Sequence, residues 1–447
     1  MRVSDPTGSV ERQPYLLERE PKDGRDMTAL RDTATASASA TLHDRAAAET
    51  YVASVCFKHG PPKLVGVELE WTVHDAADPR VPLSLEHLAD ALGEHAPPTV
   101  NPDSPNLPMQ CGSLVTVEPG GQVEISAPPK ASLADLITTV TTDADALAAL
   151  LAERGLVLGT HALDQERDVR RLLDTPRYAA MAAAFAPNGP DGLAWMCASA
   201  GLQVCLDTGQ PDQLPARWAA VHALGPVLSA LFANSRQRLN TCTTWVSGRM
   251  RTMFRVDPVR TRPLSVNTDP VGTWARRALD SPVICVRRSD GCWEPPGRVS
   301  FADWIGGAIG GPPPTEDDLD YHLSTLFPPV RPRGYLEVRY LDSQEGDGWV
   351  VPSVVLTALM ADDATVDAAL AAAEPAAGRW LHAARYGLAD ERIAMAGKAV
   401  VDLAGRVLGN GSSVGADIGP VLTERVVDEL TRRIEIGANG HVGGCSA

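Results

Sequence analysis

Four stretches of this chain alternate in the same unusual way, and that repetition limits the fold more than any other feature of the sequence. Successive β side chains point to opposite faces. In KLVGVELEWTV (63–73), Val67, Leu69, Trp71 and Val73 therefore share one side of an extended chain, and Glu68 and Glu70 the other. In SLVTVEPGGQVEIS (113–126), Val115 and Val117 oppose Thr116 and Glu118; after a turn at Pro119, Gly120 and Gly121, Val123 and Ile125 oppose Gln122, Glu124 and Ser126. GLQVCLD (201–207) sets Leu202, Val204 and Leu206 against Gln203, Cys205 and Asp207. RGYLEVRYLD (333–342) sets Leu336, Val338 and Tyr340 against Tyr335, Glu337 and Arg339.

If these segments share a sheet, at least five carboxylates converge on one face: Glu68, Glu70, Glu118, Glu124 and Glu337. Carboxylates two residues apart on a strand stand roughly 6–7 Å apart at the backbone. Like charges that close face bulk water or share a positive partner. Mg²⁺, a hard ion that takes oxygen ligands, is the natural counter-charge, with Gln122 as a neutral oxygen nearby. Ions bridging nucleotide phosphates would let an acidic face hold an anionic substrate. No His-Glu-x-x-His, paired-Cys or P-loop signature occurs, and no Ser-His-Asp or Cys-His pattern stands out among the ten scattered histidines.

The formal charge of -16 argues against nucleic acid as the main partner, since phosphate backbones call for a basic surface. No apolar run approaches the ~20 residues needed to cross a bilayer, so no membrane association is expected. The polar N-terminus has no signal-peptide pattern, and the expectation is a cytoplasmic protein with its eight cysteines reduced.

Residues 1–45 read as a flexible arm and 46–447 as a single catalytic domain, with sheet motifs over 64–345 and a mainly helical part over 350–435. Helices are expected near 44–59, 131–154, 215–234, 353–385, 390–408 and 420–434. Strands are expected at 64–74, 113–118, 122–127, 156–161, 201–207, 283–288 and 334–341, and loops at 97–108 and 306–314. That order is no regular βαβ alternation, so the fold class is α+β with an antiparallel-rich sheet.

The ordered run GVELE, EPGGQVEIS, QVCLD and PTEDDLDYHLSTLFPPVRPRGYLEVRYLD resembles the plant-type glutamate–cysteine ligases, and more closely their actinobacterial branch, which makes γ-glutamylcysteine for ergothioneine. The resemblance implies a glutamine-synthetase-like catalytic domain: a curved antiparallel sheet with helices on its outer face, holding metal and ATP on the other. Carried over position by position, it makes Glu68, Glu70, Glu118, Glu124 and Glu337 metal ligands and places Gln122 beside the cofactor. It puts Arg339 on the γ-phosphate, and Arg249 and Arg255 on the amino-acid carboxylate. This chain departs from the family in having Cys205 where QVNLD is usual and Pro329 where FPEVR is usual; both are left out of the expected site.

The implied reaction joins the γ-carboxylate of L-glutamate to the amine of L-cysteine. A carboxylate does not accept an amine directly, because the leaving group would be oxide. Phosphoryl transfer from ATP gives γ-glutamyl phosphate, which the amine can attack. That chemistry asks the protein for positioning and charge neutralisation rather than a nucleophile. Three other readings share parts of the pattern: a ligase with another acceptor amino acid, a guanidino-kinase-like phosphotransferase, and a non-catalytic acidic binding module.

Overall fold

The computed structural model of the protein describes residues 39–239, 244–288, 291, 293–409 and 413–439. Most of the expected arm lies outside the described residues. Its last part is held: Thr41 bridges Thr315, Leu42 N–H donates to the Pro314 carbonyl at 2.8 Å, and the Leu42 side chain is buried.

The alternating segments do become strands of one sheet. Its strands are β1 (Val65–Trp71), β3 (Leu114–Val117), β4 (Val123–Ser126), β6 (Gly201–Leu206), β9 (Val330–Pro332) and β10 (Leu336–Asp342), in the spatial order β3-β4-β1-β6-β10-β9. Every pairing is antiparallel. β2 (Val73–Asp75) pairs with β5 (Leu156–Leu158), and β7 (Gln237–Arg238) with β8 (Thr244–Trp245), as two small separate ladders. The expected strand 64–74 therefore divides at Thr72, whose carbonyl accepts from Gly159 N–H at 2.7 Å as the chain leaves the main sheet.

The register stacks apolar residues across strands: Leu69 between Ile125 and Leu202, Val67 opposite Val204, and Val204 opposite Val338. All are buried. Burial of such side chains contributes about 1.5–3 kcal/mol each and orients the sheet. Helices Leu133–Ala152, Leu214–Leu231 and Val350–Leu359 pack against it. The α+β class, the antiparallel sheet and its helical cover all agree with the sequence.

Several expected elements differ. Segment 283–288 is no strand: Val283 N–H donates to the Val299 carbonyl at 2.8 Å beside the bridge Pro282–Ser300, but among the described residues no ladder continues from there, although Val283, Ile284, Cys285 and Val286 are buried. The expected helix 353–385 is three helices, Val350–Leu359, Asp363–Ala373 and Trp380–Tyr386. Asp362 caps the second, accepting from Thr365 N–H at 2.8 Å, and Gly378 at φ 72° precedes the third. The last helix spans Ser413–Asn439 with a break at Gly419 (φ 76°), so that Pro420 opens its second segment. Among the described residues no helix is long and apolar enough to cross a membrane.

Candidate active site

The face of the sheet opposite its aliphatic rows carries the charge. Glu70 pairs with Glu124, which pairs with Thr116 beyond it. Glu68 lies between Ser126 and Gln203, and Glu337 between Cys205 and Arg331. Glu118 follows β3 at the tight turn, where its N–H donates to the Gln122 carbonyl at 2.8 Å. Its charge reaches Glu124.

The acids divide into two environments. At one end Glu124 accepts from Thr116 Oγ1 at 3.0 Å and Gln203 Nε2 at 3.2 Å, and Glu70 accepts from the Gly201 N–H at 2.8 Å. These are neutral donors. Burial raises the Glu124 carboxyl well above the usual range, and the charges of Glu68, Glu118 and Glu70 raise it further. Burial likewise raises Glu70, and burial followed by the charge of Glu337 pushes Glu68 up to about 7.

At the other end Glu337 meets three guanidinium groups. Arg331 binds it in a fork, Nε on Oε2 at 2.7 Å and Nη2 on Oε1 at 3.1 Å. Arg333 Nη1 reaches Oε1 at 3.2 Å, and Arg339 Nη1 reaches Oε2 at 2.9 Å. Burial acts to raise this carboxyl, but the charges of Arg331, Arg339 and Arg333 outweigh it and hold it well below the usual range. Gln203 joins the two ends, its Oε1 accepting from Arg339 and its Nε2 donating to Glu124.

Sequence reasoning missed Arg331, Arg333 and the bridging role of Gln203. A signal existed in RPRGYLE: Gly334, at φ 81°, forms the hairpin turn, and counting outward from it sets Arg331 opposite Glu337. Cys205, left out of the expected site, lies on the charged face beside Glu337, its thiol raised well above normal by burial. Asp207 serves as a cap, accepting from the N–H groups of Lys63 (2.8 Å) and Leu64 (2.9 Å).

Gln122 has its amide committed to the main chain. Nε2 donates to the carbonyls of Met196 (3.1 Å) and Ser199 (2.9 Å), and Oε1 accepts from Gly120 N–H at 2.9 Å. The turn before it lies against the helix Asp191–Ala198, and a Cβ on Gly120 would stand 1.9 Å from the Cys197 carbonyl oxygen. The glycine thus makes room for the protein's own backbone.

Arg249 is buried in the first turn of the helix Gly248–Val256, with its guanidinium on main-chain carbonyls of β10. Arg255, near the end of that helix, is 59% exposed and paired with Asp191 at 2.6 Å. The structure brings Arg249 near the charged face and gives Arg255 a partner on another helix.

Among the described residues no three acidic, His or Cys side chains are already gathered as a metal cage. The donor chemistry of Glu68, Glu70 and Glu124 nevertheless suits a hard divalent cation: all supply carboxylate oxygen, and burial raises all three carboxyls toward the protonated form, which a bound cation would reverse. Beside Glu68 opens a small cleft lined by Leu64, Gly66, Pro129, Cys205, Leu206 and Tyr335.

The chain is similar to proteins of known activity. The glutamate–cysteine ligase EgtA of Mycolicibacterium smegmatis is 38% identical over 367 residues, covering 80% of this chain and 83% of that protein. EgtA of Mycobacterium tuberculosis is 36% identical over 401 residues, covering 88% and 89%. The chloroplastic glutamate–cysteine ligase of Medicago truncatula is 31% identical over 237 residues, 51% of this chain and 46% of that one. Among solved structures, the glutamate–cysteine ligase of Francisella tularensis in complex with AMP aligns with a TM-score of 0.43 at 13% identity, over 86% of this chain and 90% of that chain. Residues 64–441, which hold the whole charged sheet and the helices behind it, match glutamate–cysteine ligase family 2, and the chain belongs to that family.

Proposed function

We propose that this protein is an ATP- and Mg²⁺-dependent glutamate–cysteine ligase that makes γ-glutamylcysteine through a γ-glutamyl phosphate. The observation that carries the reading is the divided charge of one sheet face. Three carboxyls raised by burial lie at one end and a three-guanidinium cluster at the other, with Gln203 joining them. An anionic nucleotide and its counter-ion find complementary charge on the same surface.

In this reading Glu68, Glu70 and Glu124, with Glu118 beside them, would hold Mg²⁺, which when bound supplies charge neutralisation for the phosphates, whereas Glu337, the fifth expected ligand, is committed to three guanidinium groups. Glu337 orients the guanidinium forks of Arg331 and Arg339, and Arg339 presents fixed donors to the transferred phosphoryl group. The resemblance gives Arg249 to the amino-acid carboxylate, and its place behind β10, with Nη1 and Nη2 on the Leu341 and Arg339 carbonyls, sets it beside the charged face. Arg255 contributes from the periphery. Gln122 acts by placement, tying the Gly120–Gly121 turn to the helix Asp191–Ala198.

The resemblance to the actinobacterial branch implies that the dipeptide serves ergothioneine synthesis in the cytoplasm. Residues from 46 onward are read as one catalytic domain, since helices of the C-terminal part pack on the helix Leu214–Leu231 and on the sheet.

The test is product identification by mass spectrometry from ATP, Mg²⁺, glutamate and cysteine, each omitted in turn, with ADP followed alongside. The expected result is γ-glutamylcysteine only in the full mixture, with one ADP per product. ADP formed with glutamate but without dipeptide would keep the phosphoryl-transfer half and replace the acceptor. No turnover at all would overturn the ligase reading.

A further inference from the structure

A β-bulge interrupts β10 opposite Gln203. Val338 pairs with Val204, yet the next pair is Leu341 with Leu202, followed by Asp342 with Gly201. Two residues, Arg339 and Tyr340, stand where a regular ladder has one. The bulge lets Arg339 reach Glu337 and Gln203 while the Tyr340 ring packs on Trp380, with centroids 5.5 Å apart. It also shifts the phase of the strand, so that Leu341 joins the apolar rows.

One side chain braces this irregularity. Arg249 donates from Nη2 to the Arg339 carbonyl at 3.0 Å and from Nη1 to the Leu341 carbonyl at 3.1 Å, so it grips the bulge on both sides. Gly201 leaves space for it: a Cβ there would lie 2.4 Å from Nη2. A guanidinium buried this deeply needs a counter-charge. Asp342 supplies it at 3.8 Å from Nη1, itself 2% exposed. Its carboxylate also accepts from Ser235 Oγ at 2.6 Å, Asn234 N–H at 2.9 Å and Ser247 Oγ at 3.2 Å. The two serines in turn hold the start of the helix that carries Arg249: Ser247 Oγ accepts from Met250 N–H and Ser235 Oγ from Arg249 N–H, each at 3.1 Å.

We propose that Asp342 is a positioning residue of the ligase reaction: by anchoring Arg249 beneath the β10 bulge, it sets the bearing of Arg339 on the charged face. The inference rests on the ligase reading above, in which Arg339 meets the transferred phosphoryl group. Asp342 needs no contact with a substrate to do this. Its effect passes through Arg249 and the main chain of residue 339.

Steady-state kinetics of Asp342→Asn, Arg249→Lys, the double variant and Gly201→Ala test it, with the folded fraction of each followed by circular dichroism. Asp342→Asn is expected to lower kcat about 10–100-fold while the KM for ATP moves less than about threefold, because an interaction realised in the transition state is lost. The double variant should be no slower than Arg249→Lys alone, as expected when two residues act through one path. Gly201→Ala, which crowds the guanidinium from the strand position facing Asp342 and keeps the Asp342 carboxylate, should reproduce the kcat loss. Wild-type turnover in an Asp342→Asn enzyme, losses that multiply in the double variant, or a kcat that merely follows the folded fraction would each overturn the proposal. A wild-type protein that makes no dipeptide overturns the ligase reading instead, and this inference falls with it.

Discussion

Glu124 and Glu337 occupy the same face of one sheet, and their surroundings make them opposites. Glu124 has only neutral donors and the company of three other carboxylates, so burial and repulsion both favour its protonated form. Glu337 is more deeply buried and yet stays ionised, because three guanidinium groups converge on it. A carboxylate's role here follows from what its neighbours supply. One end of the face has carboxyl oxygens that a cation would ionise and hold; the other has positive charge to offer an anion, with Glu337 serving as its hub.

Removing charge at the two ends should therefore act on different quantities. The largest effect is expected at the hub. Glu337→Gln leaves buried guanidinium groups around a neutral amide and should cost about 3–5 kcal/mol, the range for breaking a buried ion pair from one side. Urea unfolding checks this, and an unchanged midpoint would erase the contrast.

Glu124→Gln should do the reverse. Folded stability without metal stays level or rises, since a repelling carboxylate is gone, while turnover at saturating Mg²⁺ falls about 100-fold for want of a ligand charge. Full activity in this variant would remove the metal role from the acid end.

The same end should respond to cation and pH. At 100 times its dissociation constant, Mg²⁺ should stabilise the wild-type protein by about 2.7 kcal/mol, and Glu124→Gln much less. The Glu68 carboxyl, pushed up to about 7, binds its proton more tightly in the folded than in the unfolded chain. Stability without metal should therefore fall as pH rises from the ordinary carboxyl range through about 7, and Glu68→Gln should flatten that slope. Thermal midpoints across pH, with and without Mg²⁺, report both.

The smallest effect belongs to Arg255. Its guanidinium is exposed, and the buried Asp191 keeps a second partner in Arg251 at 2.8 Å, so Arg255→Gln should leave the thermal midpoint nearly unchanged. A several-fold rise in the KM for glutamate would show that this side chain does reach the amino-acid carboxylate.

The alternating segments were legible because a period of two assigns faces directly. Val67, Leu69 and Trp71 against Glu68 and Glu70 needs no knowledge of any partner strand. The grouping of Arg331 and Arg333 on Glu337 was not legible in the same way, since it depends on where the hairpin turns. Alternation alone does not place Asp342, which shares the parity of Leu336, Val338 and Tyr340. The bulge breaks that phase, and the residue lands among Ser235, Ser247 and Arg249. The apolar run 283–288 reads as a strand by composition, yet among the described residues no neighbouring segment extends the single Val283–Val299 hydrogen bond into a ladder.

What the sequence determined by itself is the two-faced character of the strands and the concentration of carboxylate on one face, because side-chain direction along an extended chain is a local property. Only the tertiary structure decided which charges meet. Strand order sets Gln203 between Glu124 and Arg339, the hairpin register sets Arg331 on Glu337, and the bulge delivers the Arg339 and Leu341 carbonyls to Arg249. Register and bulges are fixed by packing between residues far apart in the chain.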